Sequence, residues 1–265
     1  MKLQEFYEGQ AFDAYEYFGA HEEKDGVMFR TYAPGASKVT VFGEFNQWTE
    51  EEMIPLEKSG VYELKCEWAK VGMMYKYVIY TKEGWRVEHC DPYGFGMELR
   101  PNSASYIVDL SEYRFHDEVW MKNRDKNYNR PLNIYEVHLG SWRTNEKDEN
   151  GWYRYHEIAD KENGYTHLEF LPLSEHPADC SWGYQNTGYF SPTSRYGTAR
   201  DLMELVDKCH QAGIGVIMDF VPIHFATDYY GLAKYDGTEL YEYVQSDVTD
   251  SEWGTRNFDY SRREV

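Results

Sequence analysis

Two short segments of this 265-residue chain hold side chains that could grip a polyhydroxylated ligand. One is Trp182-Gly183-Tyr184-Gln185-Asn186-Thr187-Gly188-Tyr189-Phe190-Ser191-Pro192; the other is Asp219-Phe220-Val221-Pro222-Ile223-His224-Phe225. Aromatic faces stack on the apolar C–H patches of a sugar ring, and planar polar groups hydrogen-bond its hydroxyls. Tyr184 could be such a platform, with the Gln185 amide beside it; the alternative is a loop ring packed on its neighbours. Asp219 could orient an arginine or a sugar, or end a strand. His224 could donate to a sugar hydroxyl, or be a turn histidine satisfied by backbone. Residue types alone leave each pair of readings open.

The elements that must position these groups follow a strand–helix–strand pattern. Asn133–His138 and Thr166–Leu171 read as strands. Thr198-Ala199-Arg200-Asp201 is a capping-box start to a helix, and Leu202, Leu205, Val206 and Cys209 then recur on one face. Gly213 stops that helix, and Gly215–Phe220 follows as a buried strand. A strand–helix–strand unit makes a parallel sheet, and parallel α/β folds carry their chemistry at the C-terminal ends of strands. Asp219 and His224 follow one strand end and the loop Pro172–Tyr196 follows another, so both open on one edge of the sheet.

Upstream, residues Gly26–Leu110 read as all-β. Val27–Tyr32, Lys38–Phe42, Val61–Cys66, Tyr75–Tyr80 and Ser105–Val108 are short β-rich runs, with turn signals at Pro34-Gly35 and Glu83-Gly84. Several short strands with frequent turns predict a β-sandwich. The boundaries expected are an N-terminal extension over 1–25, the sandwich over 26–112, a polar linker over 113–130 and the α/β unit over 131–265.

Bulk composition narrows the ligand. Acidic residues outnumber basic ones 46 to 27, for a formal charge of −19. That argues against a nucleic-acid partner and against docking on anionic membranes. A neutral polymer or small polar ligand fits better, and the 17% aromatic content suits carbohydrate, although Tyr also serves sheet faces. Cys66, Cys90, Cys180 and Cys209 form no C-x-x-C pair, which predicts reduced thiols and a cytoplasmic setting. The sequence from Met1 has no apolar leader run, and no stretch reaches the ~18 apolar residues of a membrane span. No His/Asp/Glu cluster has ligand spacing, so no metal is expected.

Longer motifs make the reading specific. Ile134-Tyr135-Glu136-Val137-His138-Leu139-Gly140-Ser141-Trp142, the Trp182–Gly197 loop, Asp219–Phe225, Gly231–Thr238 and Trp253-Gly254-Thr255 resemble the bacterial 1,4-α-glucan (glycogen) branching enzymes of the α-amylase superfamily, glycoside hydrolase family 13. Tyr32–Ala36, Gly43–Trp48 and Asp91-Pro92-Tyr93 resemble the immunoglobulin-like, glycogen-binding-type sandwich (family 48 module) that precedes the barrel in those enzymes. The resemblance covers nearly the whole chain. It implies a β-sandwich followed by the first part of a (β/α)₈ barrel, incomplete in this chain. It implies a retaining transferase that cleaves an α-1,4 bond through a covalent glycosyl-enzyme and passes the oligosaccharide to a 6-hydroxyl, with no cofactor. Tyr184 would stack beside the cleaved bond, His224 would hydrogen-bond the same sugar, and Asp219 would organise the site. In the sandwich, Trp48, Lys76 and Trp85 match the two tryptophans and a lysine that hold a sugar chain in such modules; a scaffold role is the alternative.

The chain departs from the family in two respects. The strand motifs carrying the arginine, the nucleophilic Asp, the acid Glu and the last His-Asp pair are absent. Residues 131–265 amount to about half of the ~250 a complete barrel needs. The 265-residue chain is therefore expected to be inactive alone, with nucleophile and acid lying beyond Val265. The helix between the first two barrel strands is also expected to be short, because His156–Asn163 runs almost directly into Gly164. An open half barrel leaves an unpaired strand edge, which predicts self-association. Two other readings remain: a non-catalytic α-glucan-binding protein, and a debranching hydrolase of the same superfamily. Against the latter, Val221-Pro222-Ile223-His224 lacks an Asn before the His.

Overall fold

The computed structural model describes residues 1–125, 129–158 and 164–265. A short helix, α1 (Leu3–Tyr7), leads into β1 (Gly19–Glu23), β2 (Gly26–Tyr32), β3 (Ala36–Gly43), β4 (Glu51–Glu52), β5 (Ile54–Pro55), β6 (Val61–Cys66), β7 (Met74–Thr81), β8 (Arg86–His89) and β9 (Ser105–Tyr106). They form two antiparallel sheets, β1-β2-β6-β5 and β4-β3-β7-β8, with β9 also paired to β7. Alternation decides which face is buried. Val27, Phe29 and Thr31 of β2 point inward, as do Tyr75, Tyr77 and Ile79 of β7, and they meet Val39 and Val41 of β3. This is the sandwich expected from the periodicity.

The sandwich begins at Gly19, inside the stretch read as an extension. β1 buries only Gly19 and Ala20, while its Glu22 and Glu23 stay in solvent, as suits a charged edge strand. That polarity hid it from a reading that looked for apolar alternation. Phe6 of α1 packs edge-on against Phe18 and Tyr32 at 5.0 and 5.1 Å. The run at 105–108 makes only a two-residue strand.

The polar stretch read as a linker is docked where it is described. After Tyr113 and His116 it forms α2 (Glu118–Asn123). The α/β unit follows with β10 (Ile134–Val137), α3 (Leu139–Trp142), α4 (Tyr155–Ile158), β11 (His167–Phe170), the antiparallel pair β12 (Ser174–Glu175) and β13 (Gly188–Pro192), α5 (Ala199–Gln211), β14 (Gly215–Met218), and the antiparallel pair β15 (His224–Phe225) and β16 (Arg256–Asn257). The expected shortening over His156–Asn163 lies mostly outside the described residues. β10, β11 and β14 pair in parallel in that order, with Ile134 beside His167 and His167 beside Gly215.

One face of this sheet is covered. Val137, Leu168 and Phe170 are buried with Tyr155, Tyr196, Leu205 and Cys209. The alternate side chains, Ile134, Glu136, His167, Glu169 and Ile217, point to the other face, where Ile134 and Glu136 are exposed. Thr198 and Asp201 cap α5 reciprocally, as their spacing predicts. Asp207 of α5 is buried, an arrangement the apolar pattern did not suggest. It is satisfied from the docked stretch by the Tyr113 hydroxyl at 2.8 Å and the His116 backbone N–H at 2.9 Å. Asp117 and His210 pair at 2.7 Å, and Trp120 stacks on the His210 ring at 4.9 Å.

The sandwich and the α/β unit share one core. Phe225, Leu232, Tyr235, Leu240 and Tyr241 belong to the same apolar cluster as Val27, Phe29, Tyr75 and Tyr77. Polar bonds run alongside: Cys90 N–H to the Tyr230 carbonyl at 2.9 Å, His89 Nδ1–H to the Gly231 carbonyl at 2.9 Å, and Thr31 to the Tyr235 hydroxyl at 2.7 Å. Among the described residues, no helix is long and apolar enough to cross a membrane.

Candidate functional site

Asp219 is the first residue past β14, and its N–H bonds the Phe170 carbonyl at 2.9 Å, so its carboxylate projects from the C-terminal edge of the sheet. Gly183 sets the opposite wall. Its φ is +93°, and a Cβ there would lie 2.4 Å from the Pro172 carbonyl oxygen, so only glycine fits. The next residue, Tyr184, donates its hydroxyl to Asp219 Oδ2 at 2.6 Å. The phenol is pushed up to about 12, first by burial, then by the Asp219 bond and the nearby carboxylates Glu136 and Glu169. Tyr184 is therefore a neutral donor at physiological pH.

His224 opens β15. It is 7% exposed, and its Nδ1 has no partner among the described residues. Burial pushes its pKa down, which keeps the imidazole neutral. The two halves of the site are tied through backbone. Asn186 Nδ2 donates to the Gly183 carbonyl at 3.0 Å, and the Asn186 carbonyl accepts from Ala226 N–H at 3.0 Å. The Tyr189 hydroxyl sits against the Val221 and His224 carbonyls at 3.1 and 2.7 Å. Gln185 is half-buried on the same loop. Tyr184 and Asp219 are in direct contact, and His224, five residues past Asp219, is tied to the same loop through the Tyr189 hydroxyl.

The loop itself is held by groups that the sequence reading passed over. Arg195 is 1% exposed; its Nη1 donates to Glu175 Oε1 and the His176 carbonyl, both at 2.8 Å, and its Nε donates to Asp179 at 2.9 Å. Glu175 also accepts from Thr193 and from the Ser194 N–H. Partners 16 to 20 residues apart leave no local pattern to find. Trp253 was likewise noted only within a motif, yet its ring lies 5.6 Å from that of His224.

The sandwich trio is only partly assembled. Trp48 packs edge-on against Phe42 at 5.5 Å, and Phe42 lies opposite Lys76 across β3 and β7. Lys76 pairs with Glu88 at 3.7 Å. Trp85 sits in the β7–β8 turn beside Thr81, about 17 Å along the strand from Lys76. The surface between is bridged by Arg86, which reaches Glu50 and Glu88 at 2.8 Å each. Both tryptophans are exposed. Among the described residues, no group of His, Cys, Asp or Glu could hold a metal ion.

Residues 17–94 match carbohydrate-binding module 48 (isoamylase N-terminal domain), and residues 161–243 match the alpha amylase catalytic domain. The chain is 44% identical over 269 residues to 1,4-alpha-glucan branching enzyme GlgB of Fusobacterium nucleatum, a stretch covering 98% of this chain and 44% of that protein. The chain is related to the bacterial 1,4-alpha-glucan branching enzymes. The GlgB of Geobacillus stearothermophilus is also 44% identical, over 98% of this chain and 43% of its own length. The chain therefore spans less than half the length of these curated relatives. Among solved structures, a mutant pullulanase from Paenibacillus barengoltzii complexed with maltotetraose is similar at a TM-score of 0.74 and 22% identity, covering 98% of this chain and 48% of that one. A pullulanase from an Anoxybacillus species complexed with maltotetraose is similar at 0.74 and 18% identity, over 97% and 42% of the two chains. The pullulanase likeness extends to the fold: a sandwich followed by part of an amylase-type catalytic domain.

Proposed function

We propose that this chain is the N-terminal part of a 1,4-α-glucan branching enzyme of glycogen biosynthesis and carries one wall of its substrate cleft. The observation that supports this best is the Tyr184–Asp219 bond at the C-terminal edge of the parallel sheet. Tyr184 stacks on a glucose unit and His224 bonds its hydroxyls. Asp219 fixes the Tyr184 ring and remains available to an arginine from the rest of the barrel; Gln185 borders the same sugar. The working division is the sandwich over 26–112 with β1 added to it, the docked segment 113–130, and the partial barrel over 131–265. The carboxylate nucleophile and the acid come from outside this chain, so its α-1,4-glucan contacts are binding contacts. In the sandwich, Trp48 with Lys76 forms one glucan contact and Trp85 a separate one. The free thiols suit a cytoplasmic setting.

The test is a branching assay on amylose, following the fall in iodine absorbance and the appearance of α-1,6 linkages by NMR. It is run on the 265-residue chain and on the product of the longer reading frame. Activity in the longer product alone supports the proposal. Activity in the 265-residue chain means that a carboxylate within 131–265 does the chemistry. Glucan binding without branching in either product would leave a non-catalytic α-glucan-binding protein.

A further inference from the structure

We propose that Trp253 is a second stacking platform of this cleft and holds an α-glucan unit next to the one that Tyr184 and His224 hold. This rests on the glucan reading above and adds a residue to it.

The β15–β16 connection ends in a tight turn. Ser251 N–H bonds the Thr255 carbonyl at 2.9 Å, and Gly254 N–H returns to the Ser251 carbonyl at 3.1 Å. The Ser251 hydroxyl accepts from the backbone of Trp253 and Thr255 at 3.2 and 3.3 Å. Gly254, at φ +74°, supplies the left-handed step. Beyond the turn, β16 pairs Asn257 with His224 and Arg256 with Phe225, which registers the turn directly against the histidine. The backbone at Trp253 is thus fixed, while its indole is 69% exposed. Among the described residues, one ring contact holds it: the His224 imidazole, 5.6 Å away and tilted by 35°.

An ordered turn that presents a large apolar ring to water beside a buried histidine is the arrangement expected of a ligand surface. The indole face offers an area that a sugar's C–H patch can cover, and its N–H can reach a hydroxyl. The histidine's Nδ1 is enclosed and has no partner among the described residues, so no hydrogen bond at that atom fixes the ring against Trp253. Trp68 on the β6–β7 loop is comparably exposed, but among the described residues no histidine ring contact backs it, so exposure alone does not single out Trp253.

The test uses the branching-competent longer product and the 265-residue chain in parallel. In the longer product, Trp253→Ala is expected to raise KM for amylose roughly three- to tenfold with kcat little changed, and Trp253→Phe to recover most of it. In the 265-residue chain, titration with maltoheptaose should shift the Trp253 indole N–H resonance, assigned by its loss in W253F. If the longer product branches amylose and W253A leaves KM and the transferred chain lengths unchanged, the platform is refuted while the branching reading stands. If the longer product does not branch, that reading falls and the titration alone decides. A shifted Trp253 resonance supports the platform; an unshifted one overturns it.

Discussion

Asp219 and Tyr184 divide one task. The carboxylate sits where the strand ends, and the phenol reaches it at 2.6 Å across a gap that Gly183 makes possible. A hydrogen bond to a charged group contributes about 1.5–3 kcal/mol. In the longer product, Tyr184→Phe should keep the ring and lose the bond, lowering kcat/KM for amylose by roughly ten- to a hundredfold. An unchanged rate would show the bond to be structural. Arg195 should behave in the opposite way. Its guanidinium is enclosed by Glu175 and Asp179, and Arg195→Ala leaves a buried carboxylate unpaired. The expected cost is about 3–5 kcal/mol, read as a lower denaturation midpoint. Tyr184, Asp219 and His224 were legible because each is chemically conspicuous and follows a strand end. Arg195 was not, because its importance lies wholly in partners distant in sequence. Trp253 was missed as a contact for the same reason: only the β15–β16 register brings it to His224.

At the scale of elements, α5 was read most completely. Its cap, apolar stripe and glycine stop are local features, and each carries a physical meaning within a few residues. Thr198→Ala should remove the Asp201 N–H bond and cost about 1 kcal/mol in chemical denaturation. The sandwich strands were legible by alternation wherever one face is buried. β1 was not, since its second half is charged, and the docked stretch around α2 was not, since it anchors by polar groups. Tyr113, His116 and Asp117 reach Asp207 and His210 by hydrogen bonds that no hydrophobic period reports. The two-residue strands β12 and β15 are too short to carry a period, yet they bracket the site.

The whole molecule carries buried titrating groups of opposed sign. Burial holds His89 and His176 down to about 4, below their ordinary 6.5, so the unfolded chain takes up their protons first. Their contribution is complete above pH 6.5 and is lost as pH falls towards 4. Asp91, pushed up to about 6 by burial, acts in the other direction: the folded chain takes its proton first, adding stability as pH falls through that range. Burial also lowers His138 and His224 and raises Glu242, so four histidines stand against two carboxyls, leaving a net loss, and Tm should decline from pH 7 to pH 4.5. A Tm that is flat or rising would mean these environments are more open than described. The uncovered sheet face, with Ile134 exposed, and the exposed Met218 and Phe220 at the end of β14 lead to a further expectation. The isolated 265-residue chain should self-associate in sedimentation velocity, and a clean monomer with a cooperative melt would contradict this.

The shared core also has a practical consequence for anyone wishing to re-equip such a protein with a different N-terminal module. Sequence invites a cut in the polar stretch after residue 112. Yet His89 and Cys90 hold the backbone at Gly231 and Tyr230, and Phe225, the neighbour of His224, is packed into the interior of the sandwich. A transplant made at that cut would strip the support from beneath His224 while leaving the site residues themselves untouched. The unit that can be exchanged is the sandwich together with residues 225–241, and a graft respecting that seam should melt in one transition where the shorter graft melts in two.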